Sequence, residues 1–453
     1  MNILIVNTSD VTGGAAIAAN RLMEALKEGN VHVRMLVRDK RSQNLSVLSL
    51  KPSPLLKLKF VWERAVIWLR NRLSTKNLWQ VDIANAGTDI TRLPEFQWAD
   101  VIHLHWVNQG FLSWSDVEHI VKSGKRVVWT LHDQWPYTGI CHYTDGCERY
   151  QTHCHHCPLL KGGNTDPEAD VRGGKDLSYR LFEKKMATYR LINHITFVGC
   201  SQWIADLARK SALLQPPQSP RGSEMAREQN ARDYSSTPLK VVHIPNTINQ
   251  RVFRPSDKTA ARTAHGLPQD KKLLLFSSLK VTDKRKGIDY LIEACRMMHE
   301  QHPEWDSQLG IVVVGKQAEA MQGVFPYPLY AIDYISDEKR MALLYTAVDA
   351  FVTPSLQDNL PNTIVEAMSV GTPCVGFRVG GIPEMINHRQ DGYVAEPCNA
   401  EDLAEGILYV IDKENHESLS QAAAKFAART YNPTRIARMY EDVYRDNFLD
   451  FGF

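Results

Sequence analysis

The chain has 453 residues, of which 43% are hydrophobic and 23% charged. This is the composition of an ordinary soluble globular protein, long enough for two or three domains. The net charge of +2 and the lack of a recognition motif exclude a typical nucleic-acid-binding protein. Because the sequence contains neither an apolar run of about 18 residues nor a secretory signal at its start, we expect a cytoplasmic location. The eight cysteines should then be reduced or metal-bound rather than paired.

Apolar runs bounded by turn residues alternate with helical patterns through the first half of the chain. The predicted strands are residues 2–6, 31–38, 99–106, 126–133 and 195–201. The predicted helices include residues 15–29, 115–123 and 202–211. Strands separated by helices are typical of βαβ units, which form a parallel sheet. The first half therefore predicts one Rossmann-like domain.

The second half repeats this alternation. Its predicted strands are residues 240–246, 273–279, 309–315, 349–355 and 373–377. Its predicted helices include residues 287–301, 337–347 and 361–370. We therefore expect an α/β protein with two Rossmann-like domains whose parallel sheets face each other across a cleft, because open parallel sheets bind ligands at the C-terminal ends of their strands.

Two segments interrupt the alternation of strands and helices. Residues 141–175 are rich in Cys, His and Gly and predict an insertion in the first domain. Residues 214–237 are rich in Pro, Ser and charge, which predicts a mobile loop. We place the first domain at residues 1–237 and the second at residues 238–432.

The most informative stretch is SLQDNLPNTIVEAMSVGTPCVGFRVGGIPEMI, residues 355–386. Asp358 follows a predicted buried strand, and Glu366 lies within the helix that comes next. Backbone N–H groups around residues 359–363 form the start of that helix, which attracts phosphate. The pattern favours an elongated ligand that presents hydroxyl groups at two places and phosphate between them, such as a nucleotide sugar. Taken alone, the acid spacing favours a helix-terminal acid and a solvated glutamate, because such spacings are common by chance.

Several motifs carry a resemblance to one family over nearly the whole chain. DNLPNTIVEAMSVGTPCVGFRVGGIPE, residues 358–384, is similar to a signature of two acids eight positions apart followed by Ala-Met, Gly-x-Pro and Gly-Gly-x-Pro-Glu. The other matching segments are NTSDVTGGAAIAANRL, SQWIADLA, IPNTINQRVFRP, KGIDYLIEA and YNPTRIARMYEDVYRD. The chain thus resembles the retaining glycosyltransferases of family 4, which adopt the two-domain GT-B fold. The resemblance implies that residues 433–453 form a helix returning to the first domain.

The resemblance also implies roles for residues at matching positions. Asp358 would contact sugar hydroxyls, Glu366 would contact the ribose hydroxyls, and Lys286 would neutralise the diphosphate of the donor. The first acid is Asp where the family has Glu. Asn359 and Leu360 belong to an Asn-Leu-Pro sequence that replaces the usual Gly-Phe-Gly, and both are expected to line the donor site.

Two further positions follow from the resemblance. The family usually has an arginine shortly before the lysine, whereas this chain has SSL at residues 277–279. Arg285 or Lys280 would then supply the missing charge at the diphosphate. Gly13 and Gly14 would let sugar or phosphate approach the backbone, or they would serve only the tight turn between strand and helix.

The reaction implied is the transfer of a sugar from a UDP- or GDP-sugar to an acceptor hydroxyl, with the anomeric configuration retained and without a catalytic metal cofactor. LHWVNQGFLS and the cysteine-rich segment resemble the branch that serves bacterial exopolysaccharide, capsule and colanic-acid synthesis. That branch implies a saccharide or lipid-linked saccharide as acceptor. Two alternatives remain open: a GT-B epimerase or small-sugar synthase, and a nucleotide-sugar-binding protein without catalytic activity.

Histidines mark the ends of two predicted strands in the first domain. His132 matches a histidine that the family often has near the donor sugar, where it would hydrogen-bond a sugar hydroxyl or the developing charge. His103 and His105 favour roles in the core or in the wall of the cleft, because a strand histidine usually satisfies a local hydrogen bond. Asp133 could orient His132, hold an acceptor hydroxyl or cap the next turn.

Half of the chain's cysteines lie within 17 residues, in the sequence CHYTDGCERYQTHCHHC. The spacing C-x5-C-x6-C-x2-C of Cys141, Cys147, Cys154 and Cys157 favours a structural zinc ion, since four thiolates satisfy its tetrahedral geometry. Free or redox-active thiols and disulfides are the alternatives. In each of these cases the cluster would shape the acceptor side of the site rather than take part in the reaction.

Residues 56–73, LKLKFVWERAVIWLRNRL, predict a basic amphipathic helix that contains two tryptophans. Such a helix suits the headgroup region of an anionic bilayer, which would place the protein peripherally on the inner face of the plasma membrane. The alternative is a helix packed on its own domain with a solvated basic rim.

Overall fold

The computed structural model describes residues 1–164, 166, 174–192, 194–216 and 237–447. The described chain divides into two compact units. The first unit contains Met1–Ile244 together with the residues from Ala437 onward, and the second contains Pro245–Ile436. Most of the predicted mobile loop, residues 217–236, lies outside the described residues, as do residues 165 and 167–173 of the predicted insertion.

The first unit is built on a seven-stranded sheet in which all neighbouring strands are parallel. Its strands are β1 (Asn2–Ser9), β2 (His32–Asp39), β3 (Val47–Ser49), β4 (Val101–Leu104), β5 (Arg126–Leu131), β6 (Ile195–Gly199) and β7 (Lys240–His243). Its helices are α1 (Gly14–Lys27), α2 (Pro54–Arg70), α3 (Pro94–Trp98), α4 (Trp114–Lys122), α5 (Leu177–Tyr189) and α6 (Gln202–Lys210). The strand order is β3-β2-β1-β4-β5-β6-β7, so the topological switch point lies between β1 and β4.

The second unit is built on a six-stranded parallel sheet. Its strands are β8 (Lys272–Lys280), β9 (Leu309–Lys316), β10 (Leu329–Ile332), β11 (Ala350–Thr353), β12 (Cys374–Phe377) and β13 (Gly392–Ala395). The helices from here to the end of the described chain are α7 (Lys258–Ala264), α8 (Ile288–Gln301), α9 (Glu338–Ala347), α10 (Asn362–Ser369), α11 (Ile382–Met385), α12 (Ala400–Ile411), α13 (Lys413–Thr430) and α14 (Pro433–Tyr444). The order β10-β9-β8-β11-β12-β13 places the switch point between β8 and β11.

The hydrophobic runs of the sequence form strands that are buried on both faces of their sheets. Four successive residues of β1, Ile3 to Val6, have no exposed surface, although successive side chains of a strand point to opposite faces. This explains why the strands read as continuous apolar runs rather than as an alternating pattern. Within the described part of the chain, no helix is long and apolar enough to cross a membrane.

The first unit takes one strand that the sequence analysis assigned to the second domain. Residues 240–246 were expected to open the second half, but β7 pairs with β6 and completes the first sheet. The boundary between the units lies at Ile244/Pro245 instead of 237/238. Composition misplaces it because the Pro- and Ser-rich segment precedes the last strand of the first sheet rather than following it.

The end of α14 packs in the core of the first unit through two tyrosines. The Tyr444 hydroxyl lies 2.8 Å from Nδ1 of His103. The Tyr440 hydroxyl lies 3.0 Å from the hydroxyl of Thr130, whose oxygen also lies 2.8 Å from Nε2 of His103. His103 therefore has a hydrogen-bond partner at each ring nitrogen and is a core residue, the first of the two roles expected for it.

Lys185 of α5 is an ionisable group buried inside the first unit. Its Nζ donates hydrogen bonds to the carbonyl oxygens of Trp135 (2.5 Å) and Thr138 (3.0 Å), and it lies 3.6 Å from the centroid of the Trp135 ring. Burial lowers the pKa of Lys185 to about 7, although nearby Cys141, Cys154 and Asp133 favour the charged form.

We expect the Lys185→Met variant to gain stability relative to the wild type as the pH falls from about 10 to about 7. In this window the unfolded chain, with a lysine pKa of about 10.4, binds a proton that the folded chain does not. The lysine therefore costs stability by up to about 1.4 kcal/mol for each pH unit, and this cost is constant below the folded pKa. Melting temperatures of both proteins across the window measure the effect. A difference that does not change with pH would contradict it.

Candidate functional site

The carboxyl ends of β8 and β11 bring together two residues that the sequence analysis selected separately. Lys286 ends a 3-10 helix, Lys284–Lys286, that follows β8, and Asp358 lies in the loop that follows β11. Nζ of Lys286 and Oδ2 of Asp358 are 2.5 Å apart and form an ion pair. The pair lies at the switch point of the second sheet, which is the ligand-binding edge of an open parallel sheet.

Backbone contacts hold the two loops together around this ion pair. Leu356 N–H donates to the carbonyl oxygen of Arg285 (2.8 Å), and Nη1 of Arg285 donates to the carbonyl oxygen of Gln357 (2.8 Å). Arg285 thus ties the loop that carries Asp358 to the loop that carries Lys286. This places Arg285, one of two candidates for the missing family arginine, directly beside the ion pair. Lys280, the other candidate, is exposed at the end of β8.

The Gly380–Gly381 turn that follows β12 packs against the backbone of Asp358. Gly380 has φ +56°, and a Cβ at this position would lie 1.6 Å from the carbonyl oxygen of Asp358. Gly381 N–H donates to the carbonyl oxygen of Asn359 (2.9 Å). Asp358, Asn359 and Leu360 are all buried. Only glycine fits at position 380, because the backbone of the Asp358 loop lies too close for a Cβ. This close packing fixes the position of the Asp358 loop.

Glu366 is positioned by a residue that the sequence analysis missed. It lies on α10 and is buried, and its Oε2 accepts a hydrogen bond from the hydroxyl of Tyr345 on α9 (3.0 Å). The loop before α10 holds Asp358, so both acids belong to one continuous segment. Nothing in the local sequence pattern marks Tyr345, because it precedes Glu366 by 21 residues and lies in another helix.

In the first unit, Gly13 and Gly14 lie between β1 and α1, at the switch point of the sheet. Gly13 has φ 90° and precedes the first residue of the helix, Gly14. A Cβ at Gly13 would meet no atom within 4 Å. The backbone conformation thus explains the glycine at position 13, and the space beside it is open to a ligand.

Three histidine rings pack in succession near the ends of β4 and β5. The rings of His103 and His105 have centroids 4.3 Å apart, and those of His105 and His132 are 5.1 Å apart. Burial lowers the pKa of His103 to about 3 and that of His132 to about 4, and Asp133 opposes the shift of His132. Burial and the two neighbouring histidines also hold the pKa of His105 well below its usual value. All three rings are therefore neutral near pH 7.

The contacts of His105 indicate where His132 carries its proton. Nδ1 of His105 lies 2.8 Å from Nε2 of His132, and one proton is shared between them. Nε2 of His105 is buried and has no hydrogen-bond partner among the described residues. A bare ring nitrogen is tolerated there better than an orphaned N–H donor. His105 therefore donates to His132, and the proton of neutral His132 lies on Nδ1.

Asp133 is committed to local contacts. Its Oδ1 accepts from the backbone N–H of Trp135 (2.9 Å), and its Oδ2 accepts from Nε1 of Trp106 (2.8 Å) and from Nδ1 of His142 (2.7 Å). Burial would raise the pKa of Asp133, but the charge and hydrogen bond of His142 and the other two donors lower it. Of the three roles expected for Asp133, these contacts bear out the cap of the following turn.

The four cysteines expected to bind zinc line one small cavity together with His155. Cys141, Cys154 and Cys157 are buried, and all four are free thiols. Among the described residues, no group of three or more His, Cys, Asp or Glu side chains could hold a metal ion. The structure thus gives no support to the predicted zinc site, and the free-thiol alternative fits these side chains.

The candidate residues form one cluster in each unit. In the second unit, an ion pair joins Lys286 to Asp358, Arg285 binds the neighbouring carbonyl oxygen of Gln357, and Glu366 follows in the helix that leaves this loop. In the first unit, the Gly13 turn and the histidines lie at the carboxyl ends of β1, β4 and β5.

Comparison with known proteins identifies the second cluster as part of a known domain. Residues 257–427 match the family model for glycosyl transferases group 1. N-acetyl-alpha-D-glucosaminyl L-malate synthase of Bacillus anthracis is 26% identical over 209 residues, which cover 45% of this chain and 53% of that protein. The chain spans about half the length of the curated relatives it matches.

Solved structures share the fold over nearly the entire chain. Sucrose-phosphate synthase from Thermosynechococcus elongatus has a TM-score of 0.64 at 18% identity and covers 98% of both chains. Anabaena HepE, solved in complex with UDP-glucose, has a TM-score of 0.59 at 15% identity and covers 98% of this chain and 100% of its own. These likenesses confirm the expected α/β class with two Rossmann-like domains.

The specific resemblance to enzymes of exopolysaccharide, capsule and colanic-acid synthesis stays a prediction, because the family match at residues 257–427 covers neither LHWVNQGFLS nor the cysteine-rich segment. The match of residues 257–427 shows that the second unit contains a segment similar to the glycosyl transferases group 1.

Proposed function

We propose that this chain is a retaining glycosyltransferase that moves a sugar from a nucleotide sugar to an acceptor hydroxyl. The observation that carries the proposal is the Lys286–Asp358 ion pair, which lies at the switch point of the sheet within the family-matched residues. The pair combines a cation suited to phosphate with a carboxylate suited to sugar hydroxyls. The HepE complex with UDP-glucose favours a UDP-sugar over a GDP-sugar as donor.

Donor binding would separate the partners of this ion pair. The diphosphate would bind Nζ of Lys286, and Asp358 would accept hydrogen bonds from the sugar. Arg285 is half-buried beside them and adds positive charge close to the phosphates. Glu366, held by the Tyr345 hydroxyl, would accept hydrogen bonds from the ribose, and Asn359 and Leu360 would line the donor between these two acids.

The chemical step in this proposal is a front-face displacement. The bond between the anomeric carbon and the leaving phosphate oxygen breaks as the acceptor oxygen bonds to the same face of the sugar. The departing phosphate oxygen accepts the proton of the acceptor hydroxyl. Lys286 would stabilise the negative charge that develops on the diphosphate, and no step in this reaction requires a metal ion.

The first unit would contribute the acceptor side. The open space beside Gly13 and Gly14 leaves room for sugar or phosphate close to the backbone. His132, with its proton on Nδ1, would act as a hydrogen-bond donor rather than as a base. The acceptor is proposed to be a saccharide or a lipid-linked saccharide in the synthesis of a bacterial surface polysaccharide.

A thermal-shift screen followed by turnover assays tests this function. We expect UDP or a UDP-sugar to raise the melting temperature, since a ligand that binds only the folded state stabilises it. We then expect free UDP to be released only when a saccharide acceptor is added. Tight donor binding without turnover would indicate the inactive binding protein, and turnover with water or a small sugar would indicate the epimerase or small-sugar synthase. A failure of every nucleotide and nucleotide sugar to shift the melting temperature would contradict all three.

A further inference from the structure

The surface of the first unit concentrates its exposed apolar side chains in one place. Eight of the thirteen large hydrophobic side chains that are exposed in the described chain lie between residues 55 and 79. Six of the eight are on α2: Leu55, Leu58, Val61, Trp62, Trp68 and Leu69. Their exposed fractions range from 38% for Trp68 to 62% for Leu55. Single exposed apolar residues are normal, but a cluster of this kind marks an interaction surface.

The buried face of α2 is partly polar. Its buried residues are Glu63, Arg64 and Ile67, so a carboxylate and a guanidinium face the protein while the tryptophans face solvent. Ile67 is fully buried, and Leu56 and Val66 are half-buried against the core of the unit, so α2 buries only part of its apolar surface. The alternative expected from the sequence, a helix packed on its domain with a solvated basic rim, leaves the exposed tryptophans and leucines of α2 unexplained.

Polar contacts help to hold α2 in place. Oε1 of Glu63 accepts hydrogen bonds from the backbone N–H groups of Ile83 (3.0 Å) and Ala84 (2.7 Å). Nη1 of Arg64 donates to the carbonyl oxygen of Val81 (3.0 Å), and its other terminal nitrogen forms an ion pair with Asp82. These contacts anchor α2 together with the buried side chain of Ile67, and the six exposed apolar side chains remain accessible to a partner.

The exposed residues form a continuous surface with a basic border. The rings of Phe60 and Trp79 stack with centroids 6.0 Å apart, which joins the segment after the helix to α2. We call residues 51–79 the α2 surface. Its exposed basic residues are Lys51, Lys57, Arg70, Arg72 and Lys76. Its one acidic residue, Glu63, is buried, so the α2 surface exposes no carboxylate.

We propose that the α2 surface docks on a lipid bilayer that contains anionic lipids. Tryptophan and leucine side chains would enter the boundary between headgroups and acyl chains, and the lysines and arginines would contact the anionic headgroups. Charge complementarity favours this occupant over a second copy of the chain, because a symmetric contact would place the basic borders against each other. The proposal does not depend on the transferase activity.

Vesicle flotation tests the proposal directly. We expect the wild-type protein to float with phosphatidylcholine vesicles that contain phosphatidylglycerol, and to bind pure phosphatidylcholine vesicles much more weakly. The Leu58→Ala/Leu69→Ala variant should bind the anionic vesicles about 10- to 100-fold more weakly, since each truncation removes exposed apolar area that enters the bilayer. The fluorescence of Trp62 and Trp68 should shift to shorter wavelength when the wild type binds.

The matched control makes the same chemical change elsewhere on the first unit. Leu45 and Leu191 are exposed leucines outside the α2 surface, and the Leu45→Ala/Leu191→Ala variant should bind vesicles as the wild type does. Equal flotation of the two double variants, or no flotation of the wild type, would overturn the proposal. A wild-type dimer in light scattering that dissociates in Leu58→Ala/Leu69→Ala would instead identify a second copy as the occupant. Unchanged melting temperatures exclude unfolding as the cause of any loss.

Discussion

The Lys286→Ala variant should lose about 10²- to 10³-fold in kcat, the effect of removing one preorganised charge from a site where negative charge develops. In the proposed reaction Lys286 supplies that charge to the departing diphosphate, and its Nζ lies 2.5 Å from Asp358 at the ligand-binding edge of the sheet. Release of UDP from the donor in the presence of acceptor measures the loss. Because the interaction strengthens as the bond to phosphate breaks, kcat should fall more than donor affinity.

Lys284 provides the matched control for this change. It lies in the same 3-10 helix but is exposed, and no ion pair to a carboxylate is recorded for it among the described residues. Lys284→Ala should therefore keep kcat within about threefold of the wild type, as expected for a solvated surface charge. Near-equal rates for Lys286→Ala and Lys284→Ala, with both proteins folded, would refute the role given to Lys286. A Lys286→Arg variant that recovers part of the rate would show that positive charge is what the site requires.

The fold was predictable because the strand signal is strong where both faces of a sheet are buried. The predicted strands at 126–133 and 309–315 became β5 and β9 with shifts of one or two residues at their ends. The assignment of β7 failed because hydrophobicity alone does not say which sheet a strand joins. Long-range pairing decides this, and β7 pairs with a strand that ends about 40 residues earlier in the chain.

The candidate site was predictable residue by residue but not as an arrangement. Lys286 and Asp358 came from separate motifs that lie 72 residues apart, and their contact follows only from the order of strands β8 and β11. Tyr345 could not be found in advance, since a buried tyrosine in a helix usually serves the core. The motifs thus identify the residues, whereas the order of strands in the sheet determines which of them are in contact.

The orientation of α2 shows a different limit of sequence patterns. The periodicity of residues 56–73 predicts a helix with one apolar face, and the structure contains the helix. Which face is buried depends on partners such as the backbone N–H groups of Ile83 and Ala84, which bind Glu63. The cysteine cluster shows a similar limit, because ligand spacing identifies residue types and does not fix the geometry of their side chains.

The Gly287→Ala variant should lose at least about 100-fold in activity, although residue 287 carries no side chain that could act. Gly287 follows Lys286 and has φ +71°, and a Cβ there would lie 1.8 Å from the carbonyl oxygen of Pro354 in the loop after β11. A Cβ cannot lie this close to a carbonyl oxygen. The loops that contain Gly287 and Pro354 must therefore move apart, which breaks the contact between Lys286 and Asp358. A displacement of about 1 Å in a catalytic group costs roughly this factor.

Gly266 separates the effect of steric overlap from that of backbone strain. It also has positive φ, +63°, but a Cβ at this position would meet no atom within 4 Å. Gly266→Ala therefore carries the strain of a left-handed alanine, about 1 kcal/mol, and should keep nearly full activity. Steady-state rates of both variants, with melting temperatures above the assay temperature, measure the difference. If Gly287→Ala remained as active as Gly266→Ala, close packing of these two loops could not be what positions Lys286 for catalysis.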